Sequence, residues 1–471
     1  MEQEGVIDKK RLAHLMLQNL PYEPNDDQVR LIAHLCTFCS LPPSSDDPVF
    51  LLNGYAGTGK TSLTGALVKS LRQLGVRSVL LAPTGRAAKV FAEYARHPAY
   101  TIHRRIYRQK AYSPELGGGF SLADNKAVDT VFIVDEASML PNGTTEQVVF
   151  GSGKLLDDLI EYVFSGVNCR LILLGDNAQL PPVGFQHSPA LDVDELKGYG
   201  VDLYTFDLTN CVRQEQDSGI LANATALRRE MENPVLNEPK LDTDSNDDFK
   251  RLSSEYVIET LNDCYERDGM NETIVVTRSN KRAKMFNLGI RSRILYYEDE
   301  LVAGDRLLIT KNNYFWGSEY ENIDFIANGD VAIVQRIIST TTKFGFRFAN
   351  VRLLFSDYDT EIETLINLDT LISESPSLTY QQQQMLFNNV YETLYGPKRE
   401  RFKALKQHPY FNALQVKYAY AMTCHKAQGG QWKNVFVDMG YIQPEALTSI
   451  DFYRWLYTAV TRARKQIYLL G

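Results

Sequence analysis

Eight consecutive residues, Gly54-Tyr55-Ala56-Gly57-Thr58-Gly59-Lys60-Thr61, satisfy GxxxxGK[ST] at every fixed position. Glycines at these spacings let backbone N–H groups turn inward around phosphate oxygens. A helix starting at the lysine adds positive potential from its N-terminus. Lys60 is spaced to reach the β- and γ-phosphates of a nucleoside triphosphate, and the Thr61 hydroxyl to ligate Mg2+. Further on, Asp135-Glu136 closes the apolar run Val131-Phe132-Ile133-Val134. There Asp135 suits the metal, and Glu136 suits a proton taken from an attacking water. Gln179, in Gly175-Asp176-Asn177-Ala178-Gln179-Leu180-Pro181-Pro182, is placed to sense the γ-phosphate or orient water. An ordinary turn glutamine fits that spacing equally well. Together these residues suit hydrolysis of a phosphoanhydride.

Such groups need rigid elements behind them. Phe50-Leu51-Leu52, Ser78 to Leu81, Val131 to Val134 and Leu171 to Leu174 are compact apolar runs of strand length, separated by helical patterns. Ile274-Val275-Val276 and Val435-Phe436-Val437 repeat the pattern later. Strands apolar at every position belong to parallel sheets covered on both faces. Two groups of them predict an α/β chain with two domains. Residues 107–128, with Gly117-Gly118-Gly119 among Tyr107, Tyr112 and Phe120, have the length of a β-hairpin. Residues 306–414 open with alternating segments and turn polar and helical from Tyr380 to Gln407. They read as an inserted β-rich subdomain with a helical projection.

The 471 residues carry 50 Lys and Arg against 58 Asp and Glu, a net charge of -8 that excludes a globally basic coating protein. The charge is unevenly placed. Leu51 to Lys110 holds eleven basic residues against Glu93 alone, and Lys398 to Lys417 holds six against Glu400. A solvated face explains such a run as readily as polyanion binding, but the first run contains the phosphate motif. No stretch reaches the ~18 apolar residues of a membrane span, and MEQEGVIDKK has no leader-like apolar run. Of six cysteines, only Cys36 and Cys39 form a CxxC. They read as small apolar helix residues, in a reducing, cytoplasmic setting.

The motifs GYAGTGKT, APTGRAAKV, TIHR, VDEASML, GDNAQLPPVG, LTNCVRQ, MTCHKAQGGQW and YTAVTRAR run in order over most of the chain. In this order the chain resembles the superfamily 1 DNA helicases of the RecD/Dda group, which includes the Pif-type helicases. The resemblance implies roles residue by residue. Gln28, after Tyr22, matches a glutamine that reads adenine. Gly54, Gly57, Thr58, Gly59, Lys60, Thr61 and Ser62 match the nucleotide cradle, with Asp135 and Glu136 at the metal and water positions. Gln179, Arg213 and Arg462 match γ-phosphate groups, the two arginines reaching it from across an interdomain cleft. Pro83, Thr84, Gly85 and Arg86, with Thr101 and His103, resemble single-strand contacts. Thr423, His425, Lys426 and Gln428 match a motif that couples strand to nucleotide. Gly429-Gly430-Gln431-Trp432 departs from the usual pattern there. Gly304-Asp305-Arg306 and Asn328-Gly329-Asp330 resemble the flanks of an SH3-like insertion.

The resemblance implies two RecA-like P-loop domains with parallel sheets. The first takes 1–106 and 129–210, and the second 211–305 and 415–471. A pin hairpin takes 107–128, and an SH3-like insertion with a helical tower takes 306–414. It also implies ATP and Mg2+, hydrolysis coupled to domain closure, and 5′-to-3′ movement on DNA. The partners expected are single-stranded and forked duplex DNA, with single-strand-binding, replication or repair proteins beside them, and no membrane. Tyr112 and Phe120 are the candidate pin aromatics. One stacked base is worth about 1–3 kcal/mol, enough to offset a duplex step of about 1.4 kcal/mol. Two other activities remain open at this point: a translocase that displaces proteins without strong unwinding, and a non-catalytic nucleic-acid-binding module.

Overall fold

The computed structural model describes residues 7–43, 47–109, 120–143, 151–210, 218–317, 320, 323 and 325–471. They form two compact units. The first ends at Asp248 and is completed by Gln443–Thr461; the second comprises Phe249–Ile442 and Arg462–Gly471.

In the first unit, β1 (Pro48–Gly54), β2 (Arg77–Ala82), β3 (Ala99–Thr101), β6 (Thr130–Val134), β7 (Arg170–Gly175) and β8 (Asp202–Leu208) form one parallel sheet. Their order is β3-β2-β6-β7-β1-β8. The apolar runs sort by the two-residue period of a strand. Phe50, Leu52, Val131, Ile133, Ile172 and Leu174 enter one core with Leu63, Leu67 and Leu71 of the helix Lys60–Gln73. Val49, Leu51, Phe132, Val134, Leu171 and Leu173 enter the core on the opposite face, against Leu156 and Leu159. Burial on both faces explains why these runs lack the polar alternation of a half-exposed strand.

A separate antiparallel hairpin joins β4 (Tyr107–Gln109) to β5 (Phe120–Leu122). Phe120 pairs with Gln109, the ladder pair nearest the connection between the two strands, and packs against the core of the first unit. Phe120, one of the two candidate pin aromatics, is thus partly engaged in packing within the first unit. Tyr112 lies outside the described residues.

The second unit has a parallel sheet of β9 (Phe249–Leu252), β10 (Thr273–Thr277), β16 (Ala421–Thr423), β17 (Trp432–Asp438) and β18 (Ala463–Leu470), in the order β16-β10-β17-β18-β9. Between β10 and β16 the chain builds a closed barrel of β11 (Arg306–Ile309), β12 (Val331–Lys343), β13 (Phe346–Phe355), β14 (Thr360–Asn367) and β15 (Leu414–Tyr418). The helices Tyr380–Tyr391 and Lys398–Lys406 project from it. They cover Phe346 and Phe348 at the far end of β13 with Leu386, Val390 and Leu405. The barrel closes through Tyr418, a few residues beyond the expected limit of 414.

Two acids flanking the barrel are architectural. Asp305 is buried against Arg291 (2.8 and 2.9 Å) and accepts from the Tyr420 hydroxyl (3.0 Å) and the Val302 N–H (2.9 Å). Asp330 accepts from the Ala327 N–H (2.8 Å) and the Tyr358 hydroxyl (3.0 Å), and burial lifts its carboxyl to about 7.

The division between units also differs from the expected one at residue 210. Residues 218–248 stay with the first unit because the helix Gly219–Met231 packs on the helix Ile450–Val460, and the Tyr453 hydroxyl donates to the Asn237 carbonyl (2.8 Å). The helix Ile450–Val460, which directly precedes β18, thus belongs to the first unit, an exchange that strand patterns do not show. No described helix is long and apolar enough to cross a membrane.

Candidate nucleotide and nucleic-acid site

Parallel sheets gather ligand-binding loops at the carboxyl ends of their strands. Across that edge of the first sheet the loops follow strand order. Thr101 ends β3 and His103 follows it, and Pro83 to Arg86 come after β2. Asp135-Glu136 follows β6, Asp176 to Gln179 follows β7, and the glycine-rich loop follows β1. The nucleotide candidates therefore adjoin the strand-contact candidates along one edge, and the Asp135 N–H donates to the Leu81 carbonyl (3.0 Å) where the groups meet.

The loop after β1 has the backbone its sequence demands. Gly57 and Gly59 have φ of 78° and 89°, a region that a side chain disfavours. Gly59 precedes the helix Lys60–Gln73 with no side-chain cap, so the first-turn N–H groups face outward for an anion. Lys60 Nζ donates to the carbonyls of Gly54 and Tyr55, the latter at 3.1 Å. A Cβ on Gly54 would stand 2.9 Å from the lysine stem, so glycine there clears the path of Lys60. The Thr58 hydroxyl donates to the Tyr55 carbonyl (2.8 Å).

Gln28 braces this loop. It is fully buried, and its Nε2 donates to the Thr58 carbonyl (2.9 Å) while its Oε1 accepts from the Asn25 N–H (3.2 Å). Tyr22 sits beside it, hydrogen-bonded to Gln28 and Ser62, with its hydroxyl pKa raised by burial.

Asp135 is held up at about 7, first by burial and then by the adjacent charge of Glu136; Lys60 acts in the opposite direction. Glu136 itself takes a left-handed conformation, φ 53°. A non-glycine residue held there points to a position selected for where its side chain goes. Gln179 is buried, with Nε2 3.5 Å from Asp176 Oδ2 and with its Oε1 bonded to no described residue.

No sequence pattern marks the group that ties these loops together. The Tyr457 hydroxyl accepts from the Ala56 N–H (2.9 Å) and donates to Asp176 Oδ2 (2.8 Å). One turn position further, Thr458 Oγ1 accepts from the Leu180 N–H (2.9 Å). Both side chains are buried on the helix Ile450–Val460. Arg228 stacks over the Tyr55 ring at 4.2 Å. The motif YTAVTRAR drew attention to Arg462, and only spatial folding reveals its tyrosine and threonine as loop braces.

The strand-contact candidates are partly committed to local structure. Thr84 and Thr101 cap the helices Gly85–Ala95 and Ile102–Ile106, accepting from the N–H groups of Ala87 and Arg104 (both 3.2 Å). Burial pushes the His103 ring down to about 4, so it is neutral near pH 7 and offers a hydrogen bond rather than a charge. In the second unit, Thr423 ends β16, and Lys426 Nζ donates to Asn328 Oδ1. Gln428 is buried and His425 exposed. Arg462 is 3% exposed and donates to the Gly430 carbonyl (3.3 Å). Arg464 pairs with Glu272, and Trp432 and Trp455 are buried packing residues. Arg213 lies outside the described residues. Cys36 and Cys39 are buried free thiols, both raised to about 12 by burial, which leaves them unreactive.

Two family models match the chain. The model of an AAA domain matches residues 23–241, and that of a UvrD-like helicase C-terminal domain matches 418–470. The ATP-dependent RecD2 DNA helicase of Deinococcus radiodurans is 26% identical, over 89% of this chain and 46% of its own length. The ATP-dependent DNA helicase dda of Enterobacteria phage T4 is 23% identical, over 88% of this chain and 93% of its own length. An uncharacterized protein of Methanocaldococcus jannaschii is 28% identical over 90% of this chain, which spans 36% of that relative. Among solved structures, Pif1 helicase from Bacteroides in complex with ADP-AlF3 and ssDNA aligns with a TM-score of 0.46 and 15% identity, covering 95% of this chain and 92% of that one. The chain is thus similar to an AAA domain and to a UvrD-like helicase C-terminal domain, and to two ATP-dependent DNA helicases over about nine tenths of its own length.

Proposed function

We propose that this chain is an ATP-dependent DNA helicase that moves along single-stranded DNA, 5′ to 3′, and separates duplex strands. The observation that carries this is the single sheet edge on which the glycine-rich loop, Asp135-Glu136 and Gln179 stand beside the loops after β2 and β3. A nucleotide bound by the first group would lie next to a strand bound by the second.

ATP suits the uncapped helix at Lys60, the cradle from Gly54 to Ser62, and the orphaned Gln179 Oε1. Mg2+ suits the oxygen donors Thr61 and Asp135. Mg2+ is commonly held by one or two protein oxygens, with phosphate oxygens and waters completing its shell. When bound, the ion would neutralise developing phosphate charge. The chain's own residues supply the rest. Lys60 orients the phosphates, Glu136 accepts the water proton, and Gln179 positions that water. Arg213 and Arg462 are assigned to the γ-phosphate by their motifs, coupling hydrolysis to closure of the two motor domains. An arginine in that role is worth about 10³–10⁵ in rate, or roughly 4–7 kcal/mol. Reading of adenine by Gln28 would require its amide to leave the Thr58 carbonyl. Pro83, Thr84, Gly85, Arg86, Thr101 and His103 from the first unit, and Thr423, His425, Lys426 and Gln428 from the second, are assigned to the strand. The five described cysteines are free and buried, which suits a reducing, cytoplasmic setting.

The test is ATP-dependent unwinding of duplexes carrying only a 5′ or only a 3′ single-stranded tail. Unwinding from the 5′ tail alone is expected. ATPase stimulated by single strands without unwinding would instead identify a protein-displacing translocase, and no stimulated ATPase would leave only a binding module.

A further inference from the structure

The eleven basic residues between Leu51 and Lys110 do not all serve the edge that holds the nucleotide loop. Arg77 begins β2 and Thr130 begins β6, so both stand at the amino ends of their strands. A cavity of about 820 Å³ opens there, on the opposite edge of the sheet. Arg72, Arg77, Arg105, Arg108 and Lys126 line it, with Asp124 as the one acid in its wall. Arg72, Arg77, Arg108 and Lys126 are solvent-exposed, and among the described residues none of the five cations is paired with a carboxylate. The Arg105 Nε is buried without a described hydrogen-bond partner. Arg108 lies on β4 and Ala123 to Ala127 follow β5, so the cavity sits at the foot of the hairpin.

Five cations against one acid around an open cavity make a concentrated positive potential, which calls for an anion. Four are arginines, whose planar fork matches phosphate oxygens in pairs. Their spread over the ends of two helices, two strands and a loop suits several phosphates in series better than one small anion.

We infer that this cavity is a second nucleic-acid backbone site, holding phosphates of the fork outside the strand-contact edge, at the root of the hairpin. The inference rests on the reading that the chain acts on DNA. It adds a function for basic residues that the nucleotide site leaves unused.

The test compares the full chain with the triple variant Arg72→Gln, Arg77→Gln, Lys126→Gln. Binding to a fluorescein-labelled fork and to a short single strand would be followed by anisotropy from low to high salt. Each lost phosphate contact lowers the salt slope by about 0.9 on duplex and about 0.7 on a single strand. The variant is expected to bind the fork at least tenfold more weakly, with a slope smaller by about 2–3. Its affinity for the short strand, its strand-stimulated ATPase and its melting temperature should be unchanged. A slope drop near 2 assigns the site to a single-stranded arm, and one nearer 3 to the duplex arm. Fork affinity within twofold of the parent and an unchanged slope would overturn the site while leaving the helicase reading intact. The same holds if an acidic peptide proves to compete for the parent's cavity without displacing the fork. A parent that binds no DNA would overturn both.

Discussion

Gln179 and Asn287 are both buried carboxamides, one in each unit, and they are treated differently. Asn287 makes four hydrogen bonds: Oδ1 accepts from the N–H groups of Tyr420 (2.9 Å) and Ala421 (2.8 Å), and Nδ2 donates to the carbonyls of Tyr418 (3.0 Å) and Ala421 (2.9 Å). Among the described residues, the Gln179 side chain has one long hydrogen bond at 3.5 Å, and its Oε1 has no partner. The acids repeat the contrast. Asp305 is surrounded by Arg291, Tyr420 and a backbone donor, whereas Asp135 is buried beside a second carboxylate that raises it to about 7. A saturated polar network gives the barrel junction one geometry. An unsaturated group costs about 1–3 kcal/mol, and it is tolerated where a ligand can complete it.

Arg462 tests the comparison most severely, because it is buried and bonded like a structural residue while its motif assigns it to the γ-phosphate. Arg462→Ala should cut ATP turnover by about 10³–10⁵ and leave nucleotide binding intact. Unchanged turnover in a stopped assay would make the second unit's contribution purely architectural. Glu136→Gln should reduce turnover by about 10²–10⁴ and leave ATP bound after gel filtration. Normal hydrolysis would remove Glu136 as the base.

On the saturated side, Asp305→Ala leaves Arg291 buried and unpaired. The variant should lose about 3–5 kcal/mol of stability in urea denaturation. A loss under about 1 kcal/mol would show that the network does not hold the barrel. Tyr457→Phe strips one hydroxyl from the Ala56 N–H and Asp176, for an expected cost of about 1–3 kcal/mol. The same change should weaken ATP binding, because it loosens the loop; a stability loss with an unaltered nucleotide Kd would make the brace merely structural.

The smallest expected effect is on pH dependence. His103 titrates at about 4 in the folded chain, below its ordinary 6.5. Between those values the unfolded chain takes up a proton that the folded chain refuses, so stability falls as pH drops from 6.5 towards 4. Discounting for the ring's partial exposure leaves a fall on the order of 1 kcal/mol, or about 2–4 °C in Tm. His103→Gln should flatten the melting profile over that window, and an equally steep profile would place the acid sensitivity elsewhere.

Much of the fold was legible because its signals are local. Continuous apolar runs such as Leu171 to Leu174 have to be strands covered on both faces, and Tyr380 to Gln407 reads as helical without reference to anything distant. The expected boundary at residue 210 failed because the helix Ile450–Val460 returns to the first unit through tertiary packing. Phe120 was legible as an aromatic of the hairpin but not as a side chain packed against the first unit's core, because aromatic identity does not say what a ring packs on. Gln28 was read from a motif for its chemistry, and the structure also makes it a buried support of the loop.

The sequence by itself determined the phosphate cradle, the acid pair and the strand order of their appearance, because each depends on residues a few positions apart on one strand–loop–helix unit. Only the tertiary structure decided what braces that cradle and where the positive charge goes. Ala56 and Tyr457 lie 401 residues apart, and no periodicity links a backbone N–H to a hydroxyl over that distance. The basic run from Leu51 to Lys110 is one block in sequence, but a strand has two ends, and the sheet sends its cations to opposite edges.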